Sequence, residues 1–540
     1  MGFERSSRGT SLRQLAGPAL ALGALSLGFE ALFVHHGLGW FDEAWPLYAA
    51  RQLSEGGRLY HDVFFLFPPG HLLPAWLATW LDPPGLIGAR WLYALLGAAG
   101  VVALYGVGRR MLAPPFAFLA AALLALAAPE SHLTHLLFGH RYLLFPALGL
   151  LAFARYLEDG RAGWMGLAGA CAGIGLAFRL SPAAAVSLGI GIATVAGGGG
   201  VHKLARAFAA FSAGLLLATL PVLVWLATGP GLDAAWREVV VRLYGLQWAQ
   251  SLPVPALALE GWDRDSLSGF FVALQYRLYP VLVVAALGLL SLDWIRARQR
   301  RRAFGGALPL AVAVWGGVYL VRVLGRADDH HLYSCLPPLC LLLAWGMERA
   351  TERLRPSQPA RGAFGWTPCA VVLLLWIFLM GSDRYLAPER RGTFPVEAGG
   401  DVVYLNAGGL ARAFARKVET IRRWSAPEET LLSVSLTPIF HLLADRSGPG
   451  HLDLLMPGTF LDDEEERSFV AILEESPPAL VVRTVFDADD SEARAPERVA
   501  PQVWAWIRAN YTALEAPERG IHLLVPNERW AERRKIPPGR

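Results

Sequence analysis

Long apolar segments alternate with short polar loops over roughly the first 380 residues of this 540-residue chain. An α-helix needs about 20 apolar residues to cross the hydrocarbon part of a bilayer, and most of these segments approach that length. The pattern therefore predicts a polytopic α-helical membrane protein with about 11 transmembrane helices. The predicted spans cover residues 14–34, 86–108, 111–128, 141–157, 163–179, 181–197, 204–228, 270–294, 305–324, 331–348 and 364–381.

Two stretches between the spans are apolar but do not fit a simple crossing. Residues 68–81 form a short run that begins with two prolines and contains Pro74. This run is too short to span a bilayer, so we expect a re-entrant or interfacial helix. Residues 229–269 carry apolar and aromatic side chains at helical spacing, which predicts a segment lying on the outer leaflet.

The composition changes after residue 382, where acidic runs and shorter apolar segments replace the long spans. We therefore predict a membrane domain over residues 1–382 and a soluble C-terminal α/β domain over residues 383–540. Residues 430–436, 479–485 and 521–525 have the character of buried strands. Residues 463–475 have the spacing of an amphipathic helix.

The basic residues indicate the orientation of the chain in a membrane. The chain is 54% hydrophobic and 17% charged, with a net charge of +4. Its basic residues cluster in short loops, which is typical of topology signals and not of a nucleic-acid surface. If the N-terminus is cytoplasmic, these basic loops all lie on the cytoplasmic side. Residues 35–85 and the C-terminal domain are then predicted to lie outside. The Arg- and Ala-rich composition and the short loops favour a bacterial inner membrane.

Several arginines lie on the side of the membrane where the positive-inside rule does not expect them. A charge at the membrane centre costs roughly 2.5 to 3.5 kcal/mol on insertion scales, so such a group indicates an anionic partner. The guanidinium group also matches a phosphate with two hydrogen bonds. The residues are Arg90, Arg141, Arg179, Arg277, Arg322 and Arg326.

Carboxylates are predicted on the same side. Asp42 and Glu43 directly follow the first span, Glu130 lies in the next outer loop, and Asp328 and Asp329 precede the tenth span. Ion pairing across a wet cavity would explain acids and arginines on one face. The alternative that we favour is a catalytic centre for an anionic substrate at the membrane surface.

Two segments resemble the type C membrane glycosyltransferases, in the branch of the protein O-mannosyltransferases and the lipid A aminoarabinose transferases. FDEAWPLYAARQLSEGGRLYHDVFFLFPPG, residues 41–70, is similar to the first outer loop of that family. GRADDHHLYSCLPPLCLLLAWG, residues 325–346, resembles its late outer loop. The resemblance implies a sugar donor carried on a polyprenyl phosphate such as undecaprenyl phosphate, and transfer with inversion.

The resemblance also implies roles for individual residues. Asp42 would be the catalytic base, with Glu43 beside it, and Glu130 would be a second acidic or metal-binding position. Arg326, His330 and His331 would bind the donor phosphate. We add to these the nearby arginines Arg90, Arg141 and Arg179. We further expect Trp45, Tyr48, Tyr60 and Asp62 to line the sugar and acceptor site.

The sequence leaves alternatives open for the cofactor, for the acceptor and for the class of function. Mg²⁺ or Mn²⁺ could neutralise the phosphate, and a metal-free mechanism that uses arginine is equally open. The acceptor could be a lipid, a glycan or a protein, and membrane lipid is an expected partner. A transporter and an oligosaccharide polymerase or ligase are alternative functions. His132 and His135, with the acids and histidines at 328–331, could instead form a zinc site.

Overall fold

The computed structural model describes most of the chain, and every structural statement below refers to that part. The described residues are 12–81, 85–127, 140–249, 251–259, 264–354, 363–380, 393–398, 400–405, 408–434, 437–484, 494–514, 516 and 518–534.

Helices occur at all eleven positions where the apolar pattern predicts spans. Five of these helices, labelled α4, α8, α9, α12 and α13, are long and apolar enough to cross a membrane by length and composition. The helices are α1 (Leu12–Ala31), α2 (Ala44–Ser54), α3 (Leu73–Ala78), α4 (Leu86–Met111), α5 (Pro114–Ala125), α6 (Leu144–Asp159), α7 (Ala162–Phe178), α8 (Leu180–Gly197), α9 (Val201–Thr228), α10 (Leu232–Trp236), α11 (Leu243–Ala249), α12 (Arg264–Gln299), α13 (Ala307–Gly325), α14 (Asp329–Ser334), α15 (Leu336–Leu354) and α16 (Ala363–Met380). The predicted class, a helical polytopic membrane protein, is confirmed.

Small residues let some of these helices approach closely. A Cβ atom on Gly169 of α7 would lie 1.9 Å from the carbonyl oxygen of Phe211 on α9. One on Gly214 of α9 would lie 1.9 Å from the carbonyl oxygen of Gly166. Backbones at this separation gain van der Waals contact, which is the main attraction between helices in lipid.

Residues 32–81, which include most of the predicted first outer loop, fold into short helices that pack against the membrane helices. Helix α2 buries the run from Ala44 to Ala50. A 3-10 turn, Pro69–Leu72, leads into α3. The run at 68–81 is therefore helical in two short pieces, as expected of a segment too short to span. Its interfacial or re-entrant location stays a prediction.

The segment after α9 contacts the C-terminal domain. It consists of α10, a π-helix (Arg237–Arg242) and α11. The buried Arg242 pairs with Glu238 on its own helix and with Glu465 of the C-terminal domain, at 2.7 Å each. Trp236 and Tyr244 remain exposed. This segment thus joins the two predicted domains, and its contact with the outer leaflet stays a prediction.

The C-terminal region has the predicted mixture of helices and strands. Its five-stranded sheet has the order β4-β3-β5-β7-β6, with β3 parallel to β4 and β5, and β7 antiparallel to β5 and β6. The elements are β1 (Phe394–Ala398), β2 (Asp401–Leu405), α17 (Gly408–Trp424), β3 (Leu431–Val434), α18 (Ile439–Ala444), β4 (Leu454–Leu455), α19 (Asp463–Glu475), β5 (Leu480–Thr484), α20 (Pro496–Val499), α21 (Pro501–Asn510), β6 (Tyr511–Ala513), β7 (Ile521–Pro526) and α22 (Asn527–Arg534).

The predicted strands correspond to β3, β5 and β7, and the predicted helix is α19. The antiparallel pair β1–β2 was not predicted from the sequence, and it binds the first outer loop. The backbone N–H of Tyr404 donates to the carbonyl of His35 at 2.8 Å, and the N–H of Gly37 donates to the carbonyl of Tyr404 at 3.0 Å. A carboxylate oxygen of Asp401 accepts from the N–H of Ile87 at 2.9 Å. Since this N–H has no partner within its own helix, Asp401 caps the first turn of α4.

Candidate active site

Asp42 lies just before helix α2 and is half-buried. Its carboxylate is close enough to Arg179 to stabilise the charged form of that guanidinium. Arg179 belongs to the junction between α7 and α8, far from Asp42 in sequence. The fold therefore brings one predicted catalytic acid and one predicted phosphate ligand into electrostatic contact.

Arg179 is held at its position by the junction between two helices. Its backbone is extended, with φ −158° and ψ 122°, where α7 ends and α8 begins. Its guanidinium carbon lies 5.0 Å from the ring centre of Phe67 and 5.6 Å from that of Tyr142. Both contacts favour a cation. The side chain is only 5% exposed.

A second arginine increases the positive charge at this place. The positive charge of Arg322 and the negative charge of Asp42 both act on Arg179. A guanidinium group stays charged at neutral pH. Arg322 donates a hydrogen bond to the hydroxyl of Ser181, a neutral partner. Two guanidinium groups thus lie near one carboxylate, which favours an added anion.

The late outer loop contributes a hydrogen-bonded group of three residues. Arg326 donates to one oxygen of Asp328 at 2.8 Å, and Nδ1 of His331 lies 2.7 Å from the other. Burial alone would raise the pKa of Asp328. The pKa of Asp328 is nevertheless well below its usual range, because of the hydrogen bond and charge of His331 and the charge of Arg326. Asp328 therefore stays ionised and fixes both neighbours.

His331 connects this group electrostatically to the arginines. Burial lowers its pKa below the ordinary value, against the effect of Asp328, and the charges of Arg322 and Arg326 lower it as well. His331 is accordingly neutral near pH 7 and acts through hydrogen bonds. Arg179, Arg322, Arg326 and His331 thus form one neighbourhood, which we call the arginine cluster.

A small cavity adjoins the arginine cluster. Its volume is about 20 Å³, and its wall includes Arg179, Tyr142, Tyr319 and Ser334. A cavity needs roughly 10 to 15 Å³ to hold one water molecule. The cavity is thus large enough for one water molecule, and a larger group that entered it would have to displace side chains.

Glu43 is paired with Arg90 and not with the arginine cluster. The two groups form a bidentate ion pair with distances of 2.6 and 2.8 Å, and both side chains are fully buried. Glu43 also accepts from the N–H of Gly39 at 2.8 Å, while Arg90 donates to the carbonyls of Val34 and Gly37. The pair ties the start of the first outer loop to α4. This geometry favours a supporting role, and the functional roles predicted for both residues remain predictions.

Removing one member of this pair should destabilise the protein strongly. Glu43→Ala leaves Arg90 buried without its carboxylate, a change that typically costs about 3 to 5 kcal/mol. The comparison is Glu55→Ala, directly after the C-terminal end of α2. Its partner Arg51 is partly exposed, and loss of this pair should cost at most about 1 kcal/mol. Thermal unfolding of the purified proteins in detergent measures the difference. Equal melting temperatures for the two variants would contradict the supporting role.

Arg141 is fully buried, at the start of the turn that leads into α6. Within the described residues its guanidinium nitrogens have no hydrogen-bond partner. A Glu30 oxygen lies 3.9 Å away, and the ring centre of Tyr93 lies 5.9 Å from its guanidinium carbon. Phosphate binding by Arg141 stays a prediction.

Arg277 donates to the carbonyl of Ala273 on its own helix at 2.8 Å.

The aromatic residues predicted for the sugar site are buried, with their polar atoms bound inside the protein. Trp45 Nε1 donates to the carbonyl of Phe64 at 2.8 Å, and the Tyr60 hydroxyl donates to the carbonyl of Phe67 at 2.7 Å. The Tyr48 hydroxyl donates to a residue of the C-terminal domain, described below. Their assignment to the sugar site stays a prediction.

Asp62 is more exposed than these aromatic residues. It forms an ion pair with Arg58 at 2.8 Å, and the hydrogen bond from Arg58 lowers the pKa of Asp62 to about 2. A carboxylate of this kind remains ionised at any physiological pH. Its predicted role in binding the sugar or the acceptor stays a prediction.

His71 was not predicted as a site residue, although it follows the Pro-Pro-Gly of the first outer loop. Its ring lies 4.4 Å from that of Tyr142, and Nε2 is 2.7 Å from the Tyr142 hydroxyl. Burial and the charge of Arg179 lower its pKa well below the ordinary value. His71 is therefore a neutral residue that borders Arg179. Its position after the Pro-Pro-Gly turn is the sequence signal that could have identified it.

Some predicted residues cannot be placed. Glu130, His132 and His135 lie outside the described residues, and so do the side chains of Asp329 and His330. Within the described part of the chain, no three His, Cys, Asp or Glu side chains come together in a way that could hold a metal ion. The described residues alone thus do not form a binding site for Mg²⁺, Mn²⁺ or zinc.

Comparison with known proteins identifies the class. Residues 67–225 match the model of the family described as dolichyl-phosphate-mannose-protein mannosyltransferase. No curated protein sequence matches the chain. Two crystal structures of ArnT from Cupriavidus metallidurans are similar over 94% of this chain, at 16% identity. The complex with undecaprenyl phosphate matches over 97% of its own chain with a TM-score of 0.52, and the apo state over 96% with 0.51.

A third similar structure is the oligosaccharyltransferase of Archaeoglobus fulgidus tethered with an acceptor peptide. It is 12% identical, with coverage of 93% of this chain and 72% of that chain and a TM-score of 0.52. The likeness to these structures shows the fold, and the family match adds the enzyme class. The expected resemblance is thereby confirmed, and the enzyme interpretation holds over the transporter. This chain is a multi-pass membrane glycosyltransferase with the type C fold, and its residues 67–225 are similar to the dolichyl-phosphate-mannose-protein mannosyltransferase family.

Proposed function

We propose that the protein transfers a sugar from a polyprenyl-phosphate donor to an acceptor hydroxyl, with inversion, at the outer face of a bacterial inner membrane. The observation that carries the proposal is the electrostatic contact between Asp42 and Arg179 beside Arg322. A base and a phosphate site must be adjacent for this reaction. The undecaprenyl phosphate bound by the similar ArnT structure supports the donor class.

Asp42 acts as the general base in this proposal. The acceptor hydroxyl binds within hydrogen-bond reach of the carboxylate and passes its proton to it as the oxygen attacks the anomeric carbon. The bond from that carbon to the phosphate oxygen breaks in the same displacement. The polyprenyl phosphate leaves with the bonding electron pair, so the configuration at the anomeric carbon inverts.

The arginine cluster stabilises the leaving group. Charge develops on the phosphate as the glycosidic bond breaks, and guanidinium groups placed there beforehand lower the barrier. Arg179 and Arg322, which act on each other electrostatically, supply this charge. Asp328 holds Arg326 and His331, which add hydrogen bonds. His330 remains a proposed phosphate ligand from the resemblance alone.

Further parts of the proposal rest on the sequence. The acceptor is a lipid, a glycan or a protein, and Trp45, Tyr48, Tyr60 and Asp62 border the site where it meets the sugar. Glu130 is a proposed second acid, and Mg²⁺ or Mn²⁺ a proposed cofactor that would require it or other residues outside the described part.

The configuration of the product tests the proposal. Purified protein in lipid is supplied with polyprenyl-phosphate sugars of known anomeric configuration and with membrane extract as a source of acceptors. The coupling constant of the anomeric proton in the product then reports the stereochemistry. We expect the inverted configuration. A retained configuration, or transfer from nucleotide sugars but from no polyprenyl-phosphate sugar, would overturn the proposal.

A further inference from the structure

The motif helix α2 is bonded to the C-terminal domain through one tyrosine. The Tyr48 hydroxyl donates to a carboxylate oxygen of Asp453 at 2.7 Å. The same hydroxyl accepts from the backbone N–H of Gly448 at 2.7 Å and from the side-chain amide of Gln52 at 3.0 Å. A phenolic oxygen has one hydrogen to donate and two lone pairs, so its bonding capacity is fully used here.

This contact lies in a dry environment. Tyr48 is 2% exposed and Asp453 1% exposed. The ring of His441, on α18, stacks on the Tyr48 ring with 4.7 Å between centres and an angle of 22°. A hydrogen bond between such groups is stronger than one at the surface, because water does not compete for either partner.

The same helix carries the proposed base at its beginning. Asp42 precedes α2 by two residues, and Tyr48 is the fifth residue of the helix. Tyr48 lies about 6 Å along the axis from Ala44, the first residue of the helix. A change in the position of Tyr48 therefore moves the start of the helix. The C-terminal domain also contacts this start, because the N–H of Ile439 donates to the carbonyl of Trp40 at 3.3 Å.

We propose that Tyr48 and Asp453 form a positioning pair, through which the C-terminal domain sets the orientation of α2 and thereby of Asp42. Neither residue touches the reacting atoms in this role. The inference rests on the proposed function for its effect on turnover. Its effect on the mobility of α2 does not depend on the reaction.

The pair is sensitive to pH. Burial raises the pKa of Asp453 to about 7, while the hydrogen bond from Tyr48 and the charge of His451 act against this shift. Protonation of Asp453 would change a charge-assisted hydrogen bond into a neutral one, which is roughly half as strong. Since the ionised form predominates above the pKa, the pair holds α2 firmly above about pH 7 and less firmly below it.

Other ionisable groups border the pair from the neighbouring elements. Arg51, on α2, acts electrostatically on both Tyr48 and His441. Burial lowers the pKa of His441 to about 4, so that ring is neutral throughout the range considered. His451 lies 3.5 Å from a carboxylate oxygen of Glu238. Its charge would add to the field at Asp453, so variants of Asp453 itself are needed to identify the group that titrates.

Turnover as a function of pH tests the pair. Asp453→Asn keeps a carbonyl oxygen for Tyr48 but cannot ionise, and Tyr48→Phe removes the donor. We measure kcat and the KM for the donor from about pH 5.5 to about pH 8.5. The wild type should lose kcat below about pH 7. In Asp453→Asn, kcat should not fall as the pH drops below about 7. At the highest pH its kcat should be about fivefold lower than that of the wild type, with KM unchanged, as for loss of a charge-assisted hydrogen bond.

Two comparisons make the result specific. The double variant should lose no more than the larger single loss, because both changes remove the same hydrogen bond. Glu419→Gln, an acid-to-amide change at an exposed ion pair of the same domain, should behave as the wild type. A fall of kcat below about pH 7 that persists in Asp453→Asn would overturn the positioning role. So would a loss of kcat in the double variant that equals the two single losses combined.

Hydrogen–deuterium exchange of residues 44–54 separates this inference from the proposed function. Exchange in α2 should be faster in Asp453→Asn and in Tyr48→Phe than in the wild type or Glu419→Gln, whichever donor the enzyme uses. Faster exchange with no turnover from polyprenyl-phosphate sugars would uphold the pair and overturn the proposed donor. Unchanged exchange in both variants would overturn the pair.

Discussion

Replacing Asp42 with asparagine is expected to lower kcat by about 10³-fold, within the range attributed to general bases. Asparagine has nearly the same shape and keeps a carbonyl oxygen, but it cannot take a proton from the acceptor at neutral pH. Binding of the donor should change little, since the proposal assigns the phosphate to the arginine cluster. Initial rates and donor affinity, measured on protein purified in lipid, separate the two effects.

The matched comparison is Glu55→Gln, which makes the same change from acid to amide at an exposed position directly after α2. That variant should keep wild-type turnover. Asp42→Asn should also melt at a temperature close to that of the wild type, because Asp42 is only half-buried. Turnover within a factor of about ten of the wild type would show that another group accepts the proton.

Replacing Arg179 with alanine is expected to lower kcat by about 10² to 10³-fold, the loss seen when one preorganised donor to a developing anion is removed. It should also weaken binding of the donor, because the proposed contact of the guanidinium with the phosphate exists before and after transfer. Arg179→Lys should recover only part of the activity, since lysine supplies charge without the two-pronged geometry.

Stability has to be separated from catalysis for this residue, because Arg179 is 5% exposed and contacts two aromatic rings. Arg179→Lys preserves the cation on those rings and is the more informative variant. Arg155→Ala, at an exposed arginine on α6, is the control for loss of charge. If Arg179→Lys bound the donor and turned over as the wild type does, geometry at this position would not matter, contrary to the proposed contact.

The membrane helices were predictable from the sequence because burial in lipid requires long apolar runs, and such runs are visible without knowledge of the fold. The pair β1–β2 was not predictable in this way. Each strand has only five residues and buries two of them, Val396 and Ala398 in β1 and Val403 and Leu405 in β2. Such a short alternation is a weak signal in a sequence. Its purpose is to bind residues 35–37, a contact that no local pattern encodes.

The sequence predicts the side of the membrane for the arginines but not their contacts. The positive-inside rule assigns a residue to one face, but it gives neither its angle around the helix nor its partner. The structure divides the six arginines accordingly. Arg90 pairs with Glu43, Arg141 is buried near Glu30, Arg277 bonds to its own helix, and Arg326 pairs with Asp328. Arg179 interacts electrostatically with both Arg322 and the proposed base, Asp42.

The two adjacent acids of the first outer loop make the same point. Asp42 and Glu43 are equivalent acids in the sequence, but both lie in the turn before α2, where the fold gives their side chains different surroundings. Glu43 consequently enters the protein and meets Arg90, 47 residues away, whereas Asp42 remains half-buried near Arg179. The bond from Tyr48 to Asp453 spans 405 residues, and no feature of either local sequence indicates it.

Release of free polyprenyl phosphate is the measurement that tests the central claim most directly. Wild type and Asp42→Asn, reconstituted in lipid vesicles with membrane extract as acceptor, are each incubated with a panel of polyprenyl-phosphate sugars, and the freed lipid phosphate is quantified by mass spectrometry. We predict release by the wild type from at least one donor in the panel, accompanied by sugar transfer, and almost none by Asp42→Asn. Equal release by both proteins, or no release by the wild type from any donor while another class of sugar donor is consumed, would contradict the account.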